Sequence, residues 1–278
     1  MQDECLICLT AAHAAMKCAA NGREAARLHD CWAVQQLLPP VRRRRDSMPK
    51  IFSDAEAIVD DIIRDCGKRL VVGLPLGLGK ANHVINALFA RAVADCSIEL
   101  TLFTALTLEK PAPSADLERR FIAPVIERLF GGYPDLEYAK RLHARTLPPN
   151  IEVIEFFFLA GRWLHNAYAQ QHYISANYTH AASYLLTRGV NVITQLVAKR
   201  VVNGETRYSL SCNTDTTLDF LKARNDGRTS FQIVGQVNSE LPFMPGEADL
   251  PASEFHSILE SPDTDFPLFA PPSEPITD

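Results

Sequence analysis

Residues 68–83, KRLVVGLPLGLGKANH, run a short apolar strand into a turn holding Gly73, Gly77 and Gly79, and then into a helix start that includes Lys80. A glycine turn at a helix N-terminus exposes backbone N–H groups where the helix dipole favours an anion or a developing oxyanion. Spacing excludes two nucleotide-binding patterns. G-x-G-x-x-G counted from Gly77 meets Asn82 at its last position, and a phosphate loop ending at Gly79 and Lys80 needs glycine at Leu74 and serine or threonine at Ala81. Two readings of the turn remain open: a tight connection whose glycines only supply positive φ, and a main chain that approaches an anionic ligand. For Lys80 the choice is between a solvated first-turn lysine and a positive charge added to that approach.

Other residue types able to do chemistry are scattered. Glu155 in IEVIEFFF and Glu240 in VNSELP are candidate nucleophiles, against the plainer reading of strand-end or loop carboxylates held by backbone hydrogen bonds. No G-x-S-x-G marks a serine hydrolase. His165, His172 and His180 lie close in sequence but show no H-E-x-x-H pattern, so no metal site is expected from them. Cys5 and Cys8 have C-x-x-C spacing beside Cys18, Cys31, His13 and His29, but no second close pair completes a zinc set. Trp163, Tyr168, Tyr173, Tyr178 and Tyr184 read as core and interface rather than as a base-stacking platform.

The composition sets limits on function. With 278 residues, 47% hydrophobic, 22% charged and a net charge of −5, the chain can build a full core and gives no electrostatic reason to bind nucleic acid. VIEFFFLAGRWL at 153–164 falls short of the roughly 20 apolar residues that span a bilayer and is broken by Gly161 and Arg162. Seven cysteines, with Cys66, Cys96 and Cys212 alone in apolar segments, read as buried thiols of a reducing compartment, and the expected location is cytoplasmic.

Elements that position the glycine turn follow from periodicity. A helix over 54–66 capped by Ser53, a strand at 69–74, a helix over 80–95, a strand at 97–106, a helix over 115–129 capped by Ser114, and a strand at 151–158 alternate along the chain. Helices near 161–171 and 179–187 precede a strand at 191–201, an Asn203-Gly204 hairpin, a helix near 215–224 and a last strand at 230–237. The expected fold is α/β, a mostly parallel sheet with helices on both faces, with ligands bound beyond the carboxyl ends of the strands. Residues 1–47 read as an N-terminal extension outside the fold, 48–260 as the domain, and 261–278, with five prolines between Pro262 and Pro275, as a tail or linker.

Together with SIELTLFTALTLEKP at 97–111 and FQIVGQVNSELPFMPG at 231–246, the glycine turn resembles the acetyl-CoA hydrolase/transferase family, from about Met48 onward and over its N-terminal half only. The resemblance implies a CoA-transferase-like domain, of the same general fold as sugar-phosphate isomerases. It implies CoA traffic between an acyl-CoA thioester and a small carboxylate or water, with coenzyme A as substrate and no tightly bound cofactor. The nucleophilic glutamate of such enzymes comes from a second domain, in the same or a separate chain, so no catalytic residue is assigned here. Gly73, Gly77, Gly79 and Lys80 are the implied substrate-binding residues, on a loop that approaches the acyl or carboxylate group. Homo-oligomers, a non-catalytic binding module on this fold, and an isomerase-like enzyme stay open, the last disfavoured by the lack of an evident Asp/Glu/His cluster beside the turn.

Overall fold

The computed structural model describes residues 48–113, 115–211 and 213–267. Seven strands form one parallel sheet in the order β1-β9-β7-β5-β2-β3-β4. They are β1 (Lys50–Phe52), β2 (Arg69–Gly73), β3 (Glu99–Thr104), β4 (Ile151–Glu155), β5 (Val192–Val202), β7 (Gln232–Val237) and β9 (Ser257–Leu259). An antiparallel flap continues from β5 through β6 (Glu205–Ser209) to β8 (Asp249–Pro251). The hairpin between β5 and β6 turns at Asn203 and Gly204, whose φ angles of +52° and +84° suit the tight turns that join twisted strands.

Both faces of the sheet are covered, which is why its central strands read as nearly unbroken apolar runs. Leu70, Val72, Leu100, Leu102, Ile151 and Val153 point to one face. There they meet Ile58, Val59 and Ile62 of α1 (Ala55–Cys66), Val84, Ile85 and Leu88 of α2 (Asn82–Ala94), and Tyr138 and Leu142 of α4 (Glu137–Ala144). Val71, Phe103, Ile154, Ile193 and Ile233 point to the other, toward Ala181 and Leu185 of α6 (Tyr178–Thr187) and Phe220 and Leu221 of α7 (Thr217–Asn225). Full burial of each large apolar side chain contributes about 1.5–3 kcal/mol. Helices α3 (Asp116–Phe130) and α5 (Ala167–Gln171) complete the set.

The chain fills the sheet outward from β2 in two directions. β3 and β4 extend one edge; β5, β7 and β9 then extend the other. The reversal lies between β2 and β5, which pair only through Val72–Val192 and Gly73–Ile193. Asn191 extends that junction, accepting from the Val71 N–H at 2.9 Å and donating to the Arg69 carbonyl at 2.8 Å. Strand-order reversals are where open α/β sheets leave a crevice at the carboxyl ends of their strands.

Several local expectations are revised. Asp54 rather than Ser53 caps α1, its carboxylate accepting from the Ala57 N–H at 3.0 Å, while Glu56 pairs with Arg91. Helix α4 and strands β1, β8 and β9 were not expected. β1 and β9 are three residues each, too short for periodicity to show. The sheet edge they form is tied by buried Asp61, which accepts from Lys50 and Ser257, each at 2.7 Å. The chain also continues past residue 260 in close packing. Phe266 is buried, its carbonyl accepts from Asn238 at 3.0 Å, and Asp265 accepts from the Ser239 N–H at 3.0 Å. The Ser114 cap, Cys212, residues 1–47 with their four cysteines, and the Pro-rich stretch after 267 lie outside the described residues.

Candidate functional site

The glycine turn closes over the carboxyl end of β2. From Gly73 the chain passes through Leu74–Ala81, with one short helical turn at Gly77–Gly79, before α2 begins at Asn82. Three bonds fix it: Leu74 N–H to the Phe103 carbonyl at 2.9 Å, Gly79 N–H to the Leu76 carbonyl at 3.0 Å, and Leu76 N–H to Asp215 Oδ2 at 2.9 Å. Gly77 has φ of +50°, the left-handed region that glycine enters without steric penalty. Gly79 is needed for closeness, since a Cβ there would lie 2.5 Å from Asn213 Cβ and 3.0 Å from Pro75 Cβ. At Gly73, within β2, a Cβ would lie 2.9 Å from Leu185 Cδ2. In this structure all three glycines therefore face atoms of their own chain.

Lys80 is not a solvated first-turn lysine: it is 0% exposed. Its ammonium donates to the carbonyls of Ala105 at 2.7 Å and Leu106 at 3.3 Å, just past β3. Burial pulls its pKa down to about 8, opposed by the negative charges of Glu155 and Asp215. Leu106 has φ of +43°, a strained value for a branched side chain. The lysine clamp holds that conformation in place.

Glu155, at the end of β4, is 3% exposed. Burial raises its pKa to about 7, with the Thr107 hydroxyl and the Lys80 charge acting in the opposite direction. With the carboxylate ionised, Tyr138 donates to Thr107 Oγ1 at 2.9 Å and Thr107 donates onward to Glu155 Oε1. Glu155 Oε2 has no hydrogen-bond partner among the described residues. An unpaired buried carboxylate oxygen is costly, which is one reason the proton leaves only at higher pH than from an exposed glutamate. Burial raises Asp215 and Tyr138 as well.

Thr107 links this buried cluster to a cavity of about 300 Å³ at the carboxyl ends of β3 and β4. Its walls include Thr107, Leu108, Glu109, Ile122, Leu159 and Arg162. Glu109 is held by Arg162 at 3.2 Å and His143 at 2.9 Å, and His143 stacks on Trp163 with ring centres 4.1 Å apart. A second cavity, about 360 Å³ and lined by Lys199, Arg200, Asn238, Ser239 and Glu260, lies beside the later half of β5 and the ends of β7 and β9. The glycine turn lies between the strand ends that carry the two.

The sequence located the turn but missed its partners. Thr107, Tyr138 and Asp215 carried no motif, because the fold gathers them from distant points: the loop after β3, helix α4, and the connection between β6 and α7. Glu155 and Lys80 are far apart in the sequence, and the fold makes them neighbours in one buried cluster. The fold thus sets Glu155 and Asp215 near the turn, where no Asp/Glu/His cluster was evident in the sequence, although Lys80 and Glu155 are withheld from solvent. Glu240 is not among these groups, and its N–H caps back onto Asn238 Oδ1 at 2.9 Å. His172 stacks on Tyr168, and no group of three potential metal ligands forms among the described residues. Trp163 is buried, but Tyr173, Tyr178 and Tyr184 reach the surface, and Cys96 is exposed rather than buried. No described helix is long and apolar enough to cross a membrane.

No family model matches the chain, and no curated protein matches it in sequence. Solved structures do resemble it. RipA from Yersinia pestis superposes with a TM-score of 0.50 at 16% identity, over 76% of this chain and 42% of RipA. A RipA point variant gives 0.51 at 16% identity, over 82% of this chain and 44% of that one. A 4-hydroxybutyrate CoA-transferase from Porphyromonas gingivalis, at TM-score 0.42 and 15% identity over 79% of this chain and 40% of its own, is too distant to weigh. The chain thus spans less than half the length of the structures it resembles. At these identities the likeness shows the fold alone, a mostly parallel α/β sheet shared with RipA.

Proposed function

We propose that this chain supplies the N-terminal half of a CoA transferase or acyl-CoA hydrolase, moving CoA between an acyl-CoA thioester and a small carboxylate or water. Supporting it are the sequence resemblance to the acetyl-CoA hydrolase/transferase family and an α/β fold whose glycine turn and adjoining cavity sit together at the carboxyl ends of β2, β3 and β4. In this reading a glutamate from a second domain, on the same or a separate chain, attacks the thioester carbonyl and expels CoA thiolate to leave an acyl-glutamyl anhydride. Covalent catalysis of this kind divides one difficult transfer into easier steps. This chain contributes the opposite wall: backbone groups of the Gly73–Lys80 turn and the Leu106–Pro113 loop receive the acyl end. Lys80 acts from behind, positioning that loop through the carbonyls of Ala105 and Leu106. Thioester loss from acetyl-CoA, followed with this chain alone and with a glutamate-bearing second domain added, tests the reading. Turnover only in the mixture supports it, and a mixture as inactive as buffer counts against it.

One observation favours a second reading, a binding module that keeps the fold without turnover. Lys80 and Glu155 are sealed from solvent, and the turn's glycines pack on their own chain. That reading expects acyl-CoA or carboxylate binding with no turnover in any mixture.

A further inference from the structure

Helix α3 buries none of its residues. It nevertheless carries an apolar ridge at four-residue spacing: Leu117, Phe121, Val125 and Leu129 are 77%, 84%, 49% and 38% exposed. Residues four apart share one helix face, so this is a continuous surface and not four isolated side chains. Glu118 and Ile122, on the flank of the ridge, line the 300 Å³ cavity, and the ridge itself is open to solvent. Contiguous exposed apolar surface of this kind marks an interaction site.

The sequence of the helix indicates what covers it. Reversing α3 about Ala123 places Leu117 on Leu129 and Phe121 on Val125, apolar on apolar. The same reversal places Glu118 on Arg128, acid on base, whereas Arg119 and Glu127 lie off the ridge face. Arg119 already lies 3.6 Å from Asp116 within its own helix. Glu118 and Arg128 have no ion-pair partner among the described residues, which leaves them available across an interface. A surface complementary to its own reverse is what a two-fold, isologous contact requires. Opposed helix dipoles favour the antiparallel arrangement.

We propose that two copies of this chain associate through α3, the ridge from Leu117 to Leu129 of each packing antiparallel on that of the other, with Glu118 of each copy facing Arg128 of its mate. One helix face per copy falls below the roughly 1,200 Å² of a standard interface. The dimer is therefore reversible and depends on concentration, and it stands independently of the acyl-transfer reading.

Sedimentation equilibrium of the full chain over about 1–100 μM should show monomer passing to dimer. Phe121→Asp should raise the dissociation constant at least ~10-fold while leaving the melt unchanged at concentrations where the parent is monomeric, because in the single chain the side chain is almost wholly exposed. Glu118→Arg and Arg128→Glu should each weaken the dimer, and the double reversal should restore it. A monomer at every concentration, a dimer indifferent to Phe121→Asp, or a double reversal no tighter than either single change would overturn the proposal.

Discussion

Lys80 Nζ lies 2.7 Å from the carbonyl oxygen of Ala105, so the turn after β2 and the loop after β3 are joined by one buried ammonium. The bond explains how a strained Leu106 persists at the mouth of a cavity. It also places the lysine behind the turn, where it shapes the wall and does not reach into solvent.

Lys80→Met should therefore act through the fold. Losing a charged donor to two buried carbonyls, beside Glu155, should lower stability by about 2–4 kcal/mol. Because the site excludes water, added salt should leave that loss nearly unchanged. Urea unfolding at low and high ionic strength measures both. A Lys80→Met chain as stable as the parent, or a deficit that salt erases, would return Lys80 to the surface role expected of a first-turn lysine.

The glycines should separate by mechanism. At Gly79 a methyl group meets Asn213 Cβ at 2.5 Å, so Gly79→Ala should cost about 1–3 kcal/mol through overpacking. At Gly77 the nearest atom to a Cβ is Leu108 Cδ1 at 3.5 Å, an ordinary contact, and the cost of Gly77→Ala is the left-handed φ, about 1–2 kcal/mol. A Gly77→Asn change, which tolerates that φ, should recover part of the loss. Equal melting temperatures for Gly77→Ala and Gly77→Asn would show that φ is not what the site demands.

The pH dependence of stability follows from two opposite shifts. Glu155 binds its proton more tightly folded than unfolded, so its contribution is full below its ordinary 4.5 and is lost as pH rises to about 7. Lys80 releases its proton more readily when folded, so stability falls as pH drops from 10.5 to about 8. Between about 7 and 8 both groups are largely charged, and their joint contribution is at its minimum. Glu155→Gln should flatten the fall between 4.5 and 7 while leaving the alkaline limb. Urea midpoints across pH, parent against variant, check it; an unchanged acid-side slope would place the proton elsewhere.

How much of this could be read from the sequence depended on range. RLVVG, ELTLFT and IEVIE announced strands because both faces of each are buried, and the Asn203-Gly204 hairpin was legible from its turn chemistry. Strands β1 and β9 were invisible because three residues carry no period and their pairing joins distant parts of the chain. The glycine turn was visible because unusual backbone needs unusual residues. The cluster around it was not, since Thr107, Tyr138, Glu155 and Asp215 are ordinary residues until the topology brings two loops, helix α4 and the end of β4 together. Burial of Lys80 was hidden for the same reason: its two acceptors are backbone carbonyls, which leave no mark in side-chain pattern.

The most direct test of the proposed acyl-CoA site is amide hydrogen exchange on the full chain with and without acetyl-CoA. The account predicts slower exchange in residues 74–81 and 106–113, the turn and loop that Lys80 joins, with the outer face of α3 unaffected. Exchange unchanged in both segments at saturating acetyl-CoA, or slowed only elsewhere, would contradict it.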